Sequence, residues 1–193
     1  MRKLVIHVVS WLFFLLMPML APTALAKPLD FGPTLGEKIP SNFSANDAEG
    51  VSKKYVDISG KNGTVLLFVR SAKWCPFCQA QMVDIKNIKG QLQTLGYNLV
   101  ALSYDPPEVL ARFAKGKNIN YLLLSDTKSE MIDAFKLREA KYAPGHFAHG
   151  VPKPAIVVID SQSVVRAVLA EEDYKARPTS AVIMQTIEGL KIN

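Results

Sequence analysis

Hydrophobic positions along this chain follow three patterns. An almost unbroken apolar run occupies Leu4 to Leu20, directly after the basic pair Arg2 and Lys3. Compact blocks of β-type residues lie downstream, at Thr64 to Arg70, Asn98 to Ser103, Tyr121 to Leu124, Ala155 to Asp160 and Val164 to Ala170. Between them apolar residues recur three and four apart, as in Met82, Ile85, Ile88, Leu92 and Leu95. The blocks, bounded by Gly and polar residues, predict strands; the spaced sets predict helices buried along one face.

In chain order, Lys27 to Asn46 reads as an extended lead-in and Thr64 to Arg70 as a strand buried on both faces. A helix runs from Pro76 to about Leu95, where Gly96 stops it. The strand Asn98 to Ser103 leads through Asp105-Pro106-Pro107 into a helix carrying Val109, Leu110 and Phe113. The strand Tyr121 to Leu124 precedes a helix from Asp126 to about Leu137, with Met131, Ile132 and Phe135 inward. A Gly/His/Pro loop, Tyr142 to Pro154, is followed by a hairpin and by a closing helix near Pro178 that turns Val182, Ile183, Ile187 and Leu190 inward. This β-α-β-α-β-α-β-β-α order predicts an α/β fold: a mostly parallel central sheet, helices on both faces and an antiparallel hairpin at one side. Reactive sites on such sheets lie at the carboxyl ends of strands, and the segment after Arg70 holds that position.

Composition changes the picture mainly at the N-terminus. The 193 residues are 49% hydrophobic and 21% charged, which excludes intrinsic disorder and suits one domain. The first apolar run has a basic start and ends at Ala24-Leu25-Ala26, a small-x-small cleavage signal followed by Lys27. Residues 1–26 therefore predict a secretory signal peptide, cleaved after Ala26, and residues 27–193 one globular domain. The alternative is an uncleaved membrane anchor; Pro18 and the Ala-Leu-Ala tripeptide favour cleavage. The expected location is periplasmic or secreted, where disulfides persist. Losing Arg2 and Lys3 lowers the net charge from +6 to +4, a scattered excess that marks no nucleic-acid site.

Only two cysteines are present, and both lie in Trp74-Cys75-Pro76-Phe77-Cys78 at the predicted strand-to-helix junction. A structural bridge closing so short a loop would constrain the unfolded chain by only about 2 kcal/mol. A zinc site would need two further ligands. The redox reading explains more. Cys75 at the helix start, with Pro76 in the first turn, gains a lowered pKa from the helix dipole, and Lys73 adds positive charge nearby. Cys75 is then expected to be the exposed nucleophile and Cys78, one turn along, the resolving thiol.

With this motif the chain resembles the thioredoxin superfamily, and within it the peroxiredoxin-like AhpC/TSA, or redoxin, group. Gly36-Glu-Lys-Ile-Pro40 with Phe43 looks like that group's opening motif, Arg70 to Cys78 like its active-site segment, and Ser103-Tyr-Asp-Pro106 like the end of its second strand. Pro154 to Asp160 resembles the strand after the family's cis-proline, and Asp173-Tyr174 with Arg177-Pro178 matches a C-terminal signature of some members. The resemblance implies a thioredoxin-like three-layer sandwich with a mixed sheet and a C-terminal hairpin plus helix. It also implies that Trp74, Pro76 and Phe77 border a bound substrate. A cis Lys153-Pro154 bond would let Lys153 pair with an extended substrate, with Pro152 the lesser candidate.

The departures bear on activity. True peroxiredoxins are similar in fold but carry a Pro and a Thr before the reactive cysteine and an Arg at the late strand, where this chain has Phe68, Ala72 and Pro154. Thioredoxins carry a buried Asp where Val69 stands, so the resemblance leaves the proton acceptor for Cys78 unidentified. These differences favour general thiol-disulfide exchange over fast peroxidase chemistry.

Arg70 is expected to neutralise a buried carboxylate or to mark the strand end, and Arg177 to cap local structure. His146 and His149, in Gly145 to Gly150, are expected to be solvated; folded over the motif, they would join Cys75 and Cys78 as ligands for Cu(I) or Zn(II). The reading reached from sequence is an exported thiol-disulfide oxidoreductase that uses no cofactor. Its partners would be protein thiols or disulfides, or a small thiol, and an electron-donating redox protein. A thiol peroxidase is the first alternative and a metallochaperone the second.

Overall fold

A computed structural model describes residues 30–190, so the segment expected to be a signal peptide, residues 1–26, lies outside the described residues. Among the described residues the sheet has seven strands: β1 (Ser44–Asn46), β2 (Ser52–Lys54), β3 (Gly63–Phe68), β4 (Tyr97–Ser103), β5 (Leu122–Ser125), β6 (Ala155–Asp160) and β7 (Val165–Ala170). Their order is β2-β1-β5-β4-β3-β6-β7. The strands β3, β4 and β5 are parallel, while β6 and β7 join as the expected antiparallel hairpin. The helices are α1 (Tyr55–Ile58), α2 (Pro76–Ile85), α3 (Lys89–Thr94), α4 (Pro107–Lys117), α5 (Glu130–Ala134) and α6 (Ser180–Gly189).

Alternation along β3 explains the layers. Val65 and Leu67 face a core shared with α2, α3, α4 and α6, whereas Leu66 and Phe68 face a second core with α1 and α5. All four side chains are fully buried, each burial contributing about 1.5–3 kcal/mol. Gly63 opens the strand at φ +136°, and a Cβ there would collide with the Ile159 carbonyl of the neighbouring β6. Close backbone approach at this edge therefore requires glycine.

Several boundaries differ from the sequence reading for local reasons. The long helix after Cys75 breaks into α2, a 3₁₀ turn at Lys86–Ile88, and α3. At the break, the Met82 carbonyl accepts a hydrogen bond from the Tyr121 hydroxyl at 2.8 Å, which intrudes on the helical ladder. The tighter turn keeps Ile85 and Ile88 on one side, and both remain buried. The helix expected from Asp126 starts only at Glu130, because the Asp126 carboxylate accepts the N–H groups of Glu130, Met131 and Ile132 from outside it. The lead-in is not simply extended: it supplies β1, and β2 and α1 follow before β3. Val182 points outward, 42% exposed, while Ile183 and Ile187 face the core.

Candidate active site

The strand β3 ends at Phe68, and the chain then crosses its carboxyl edge before α2 begins at Pro76. Asp105, buried beyond the end of β4, holds this crossing. Its carboxylate accepts from the Ala72 N–H at 2.6 Å, the Ser71 hydroxyl at 2.8 Å and the Ser103 hydroxyl at 3.1 Å. Burial raises its pKa, opposed by these three donors and by Lys73. Lys73 thus acts on Asp105; the cation that acts on the cysteines is Arg177. Ser71 in turn accepts the N–H groups of Lys73 and Trp74 through its hydroxyl.

Both cysteines are free thiols. Cys75 is the N-cap of α2, with its Sγ accepting the Cys78 N–H at 3.3 Å and Pro76 in the first turn, as the spacing predicts. Its exposure differs from expectation: Cys75 is 2% exposed and Cys78 fully buried, both within the core on the α2 side. The electrostatics are also reversed. Cys78 is lowered to about 6, first by the hydrogen bond from the Cys75 thiol and then, against the cost of burial, by the Ser71 and Arg70 N–H groups and the Arg177 guanidinium. The Arg70 N–H lies 3.3 Å from Cys78 Sγ. Cys75 is raised by that same hydrogen bond and by burial. Donors converge on the second sulfur rather than the first.

The segment between β7 and α6 packs against α2 beside the second sulfur. Arg177 places Nη2 3.8 Å from Cys78 Sγ, and Tyr174 packs edge-on against Phe77 at 6.1 Å. Arg70 does not neutralise a carboxylate. Its guanidinium lies 4.5 Å from the Tyr174 ring, 5.3 Å from Trp74 and 5.4 Å from Tyr142, and Nη2 donates to the Tyr142 hydroxyl at 2.5 Å. Arg177 does not merely cap local structure either. The Nε atoms of Arg70 and Arg177 are both buried and without a hydrogen-bond partner. Neither guanidinium has a carboxylate in salt-bridge range among the described residues, and Arg177 brings an unneutralised positive charge beside Cys78 Sγ.

Trp74 is half-buried. Its Nε1 donates to the Tyr104 hydroxyl at 2.9 Å, which donates onward to the Phe147 carbonyl at 3.0 Å, and its ring meets Phe147 edge-on at 5.2 Å. Pro76 and Phe77 are exposed beside the pair. Lys153 and Pro154 line a cavity of about 240 Å³ together with Phe31 and Tyr174. The expected cis bond is absent: every peptide bond among the described residues is trans, including Lys153-Pro154 and Val151-Pro152. Lys153 also does not offer its N–H to a substrate, because it donates to the Leu137 carbonyl at 2.6 Å beside the Arg138–Pro152 bridge.

The metal quartet is not assembled. His146 stacks between Tyr142 and Phe147, with Nδ1 accepting the Ala148 N–H, and His149 Nδ1 lies 2.8 Å from the Tyr142 carbonyl. No group of three or more His, Cys, Asp or Glu among the described residues could hold a metal ion. Sequence reasoning gave Tyr174 and Arg177 no part in the chemistry and Arg70 a carboxylate partner it does not have; it held Tyr104 and Asp105 only as parts of the Ser103–Pro106 motif, and it missed Tyr142 as a site residue. The Asp173-Tyr174 and Arg177-Pro178 signature was the one signal pointing to the segment between β7 and α6.

The comparisons agree with this geometry. The AhpC/TSA family model matches residues 35–168. A protein of Mycobacterium tuberculosis (strain H37Rv) assigned to the peroxiredoxins is 31% identical over 134 residues, 69% of this chain and 83% of its own length. Peroxiredoxin Bcp of Escherichia coli (strain K12) is 25% identical over 150 residues, 78% of this chain and 93% of its own. Among solved structures, peroxidoxin BcpB of Mycobacterium tuberculosis superposes with a TM-score of 0.68 at 21% identity, covering 82% and 96% of the two chains. Reduced Prx3 of Vibrio vulnificus in complex with hydrogen peroxide gives 0.70 at 18% identity, covering 83% and 99%. The thioredoxin-like fold is therefore shared with peroxiredoxins, and the chain belongs to the AhpC/TSA family of thiol-dependent oxidoreductases.

Proposed function

We propose that this protein is an exported thiol-dependent peroxidase, in which the Cys75/Cys78 dithiol reduces a hydroperoxide and is left as a disulfide. The observation that carries this reading is the Arg177 guanidinium 3.8 Å from Cys78 Sγ. Sequence comparison had found Pro154 where peroxiredoxins place their arginine, and that loss argued against peroxide chemistry. A guanidinium contributed by another element restores a donor able to polarise an O–O bond. The kinship with peroxiredoxins supports the same reading. Two thiols, each losing one electron, balance the two-electron reduction of ROOH to ROH and water. A protein dithiol or small thiol then returns the disulfide to the dithiol form, and no cofactor takes part. A signal peptide over residues 1–26, the expectation from sequence, would put this chemistry outside the cytoplasm.

The test is to add hydrogen peroxide to the reduced protein and to count free thiols. One equivalent should remove both thiols within seconds with a mass loss of two hydrogens, and excess dithiothreitol should make the consumption catalytic. Thiol loss no faster than that of free cysteine, together with rapid reduction of insulin disulfides, would establish general thiol-disulfide exchange instead. Cell fractionation with N-terminal sequencing should find a chain beginning at Lys27.

A further inference from the structure

The two sulfurs differ in what they receive. Cys75 Sγ accepts one backbone N–H, from Cys78. Cys78 Sγ receives the Arg70 N–H at 3.3 Å and the Arg177 Nη2 at 3.8 Å, and draws further support from the Ser71 N–H and the Cys75 thiol. Negative charge is thus best accommodated on the second sulfur, with the first as its proton-bearing neighbour.

Arg177 is held in place for this contact. Tyr174 is anchored between Phe77 and the Arg70 guanidinium. On the other side, Gln81 Nε2 donates to the Pro178 carbonyl at 3.4 Å, and the Ser180 hydroxyl donates to Asp84 Oδ2 at 2.6 Å. The segment from Tyr174 to Ser180 is thereby fastened to α2 on both sides of Arg177. Within it, Arg177 Nη1 donates to the Ala176 carbonyl at 2.9 Å, Nη2 faces the sulfur, and Nε is a buried donor with no partner. A guanidinium held beside a sulfur with a donor to spare is suited to bind an oxygen reacting there.

We propose that Cys78 is the attacking sulfur, that Arg177 holds the reacting oxygen beside it, and that Cys75 is the resolving thiol. This reverses the order expected from the motif and rests on the peroxidase reading above. The Cys78 sulfur attacks one oxygen of ROOH, the O–O bond breaks, and the leaving RO⁻ takes its proton from the Cys75 thiol. Cys75, now ionised, attacks the Cys78 sulfenic acid; the S–S bond forms, the S–O bond breaks, and the departing hydroxide is protonated to water. Electrons flow from both sulfurs to the two peroxide oxygens. Full burial of Cys78 also bears on the oxidant: a small hydroperoxide needs far less opening to reach this sulfur than a protein disulfide does.

Thiolate absorbance at 240 nm and trapping of sulfenic acid by dimedone, on the full chain and on Cys75→Ser, Cys78→Ser, Cys78→Ala, Arg177→Gln and Arg177→Lys, test the assignment. Cys75→Ser should keep an acidic thiolate and accumulate dimedone adduct on Cys78 after addition of hydrogen peroxide. Both Cys78 variants should lose the acidic thiolate and form no adduct. Arg177→Gln should raise the titration midpoint and slow the peroxide reaction about 100-fold, with Arg177→Lys between it and the unaltered protein. Peroxide reactivity that survives in the Cys78 variants, with adduct on Cys75, would overturn this proposal alone. Absence of peroxide reaction in the unaltered protein would overturn the peroxidase reading, and this proposal with it.

Discussion

Single residues here act mainly through what they hold. Asp105 is the clearest case, because its buried carboxylate is the common acceptor for donors on the crossing that leads to Cys75. Asp105→Ala strands the Ala72 N–H and the Ser71 and Ser103 hydroxyls, and should cost about 2 kcal/mol or more in urea denaturation. It should also slow thiol oxidation beyond what the stability loss explains, since the loop that sets the first sulfur would be unsupported. At this scale the sequence was half legible. Two cysteines three apart before a helix announce their chemistry by spacing alone. The guanidinium that touches Cys78 stands 99 positions away, and the hydroxyl that engages Arg70 stands 72 away. No local pattern reports contacts of that range; only the packed sheet brings them together.

At the scale of elements, the misread boundaries share a cause: a side chain from elsewhere takes over a backbone group. Tyr121 takes the Met82 carbonyl, and Asp126 takes three N–H groups of α5. Burial pushes the Tyr121 phenol well up, so it remains a protonated donor at any working pH. Tyr121→Phe should therefore lower stability by about 1 kcal/mol through one lost hydrogen bond, with the fold otherwise kept; chemical denaturation checks the size. The strands of the central sheet were readable because buried parallel strands are continuous apolar runs. Three-residue strands such as β1 and the edge strand β2, with polar sequences and one or two faces in water, carry no such signature.

For the whole molecule, the shifted cysteine links redox state to pH. Cys78 titrates near 6 in the folded dithiol protein, against 9.0 as its ordinary value. An acid whose folded pKa is lowered stabilises the fold above its unfolded value, and that contribution fades as pH falls through the folded one. The dithiol form should therefore gain thermal stability relative to the disulfide form as pH rises from about 6 to about 9, and lose it again above that, where the raised Cys75, also a thiol only in this form, acts in the opposite sense. Asp105 and Asp126 are raised by burial and act oppositely in the acid range, but they are present in both forms and cancel in the difference. Melting both forms across the window decides the matter; parallel curves would refute the linkage. The α/β layering and the hairpin were legible at this scale from element order. The contact between Arg177 and the second sulfur was not, because the signature in the connection 171–179 does not say what it packs against.

That connection has a consequence in time. Synthesis runs from the N-terminus, and Arg177 follows Cys78 by 99 residues. Until the segment around Arg177 is made and docked, the cysteine pair exists without the charge that sharpens it and without the neighbour that fastens to α2 beside it. A chain truncated before Arg177 would carry the complete motif and an unfinished site, so reactivity at Cys78 is a property that arrives only when folding ends.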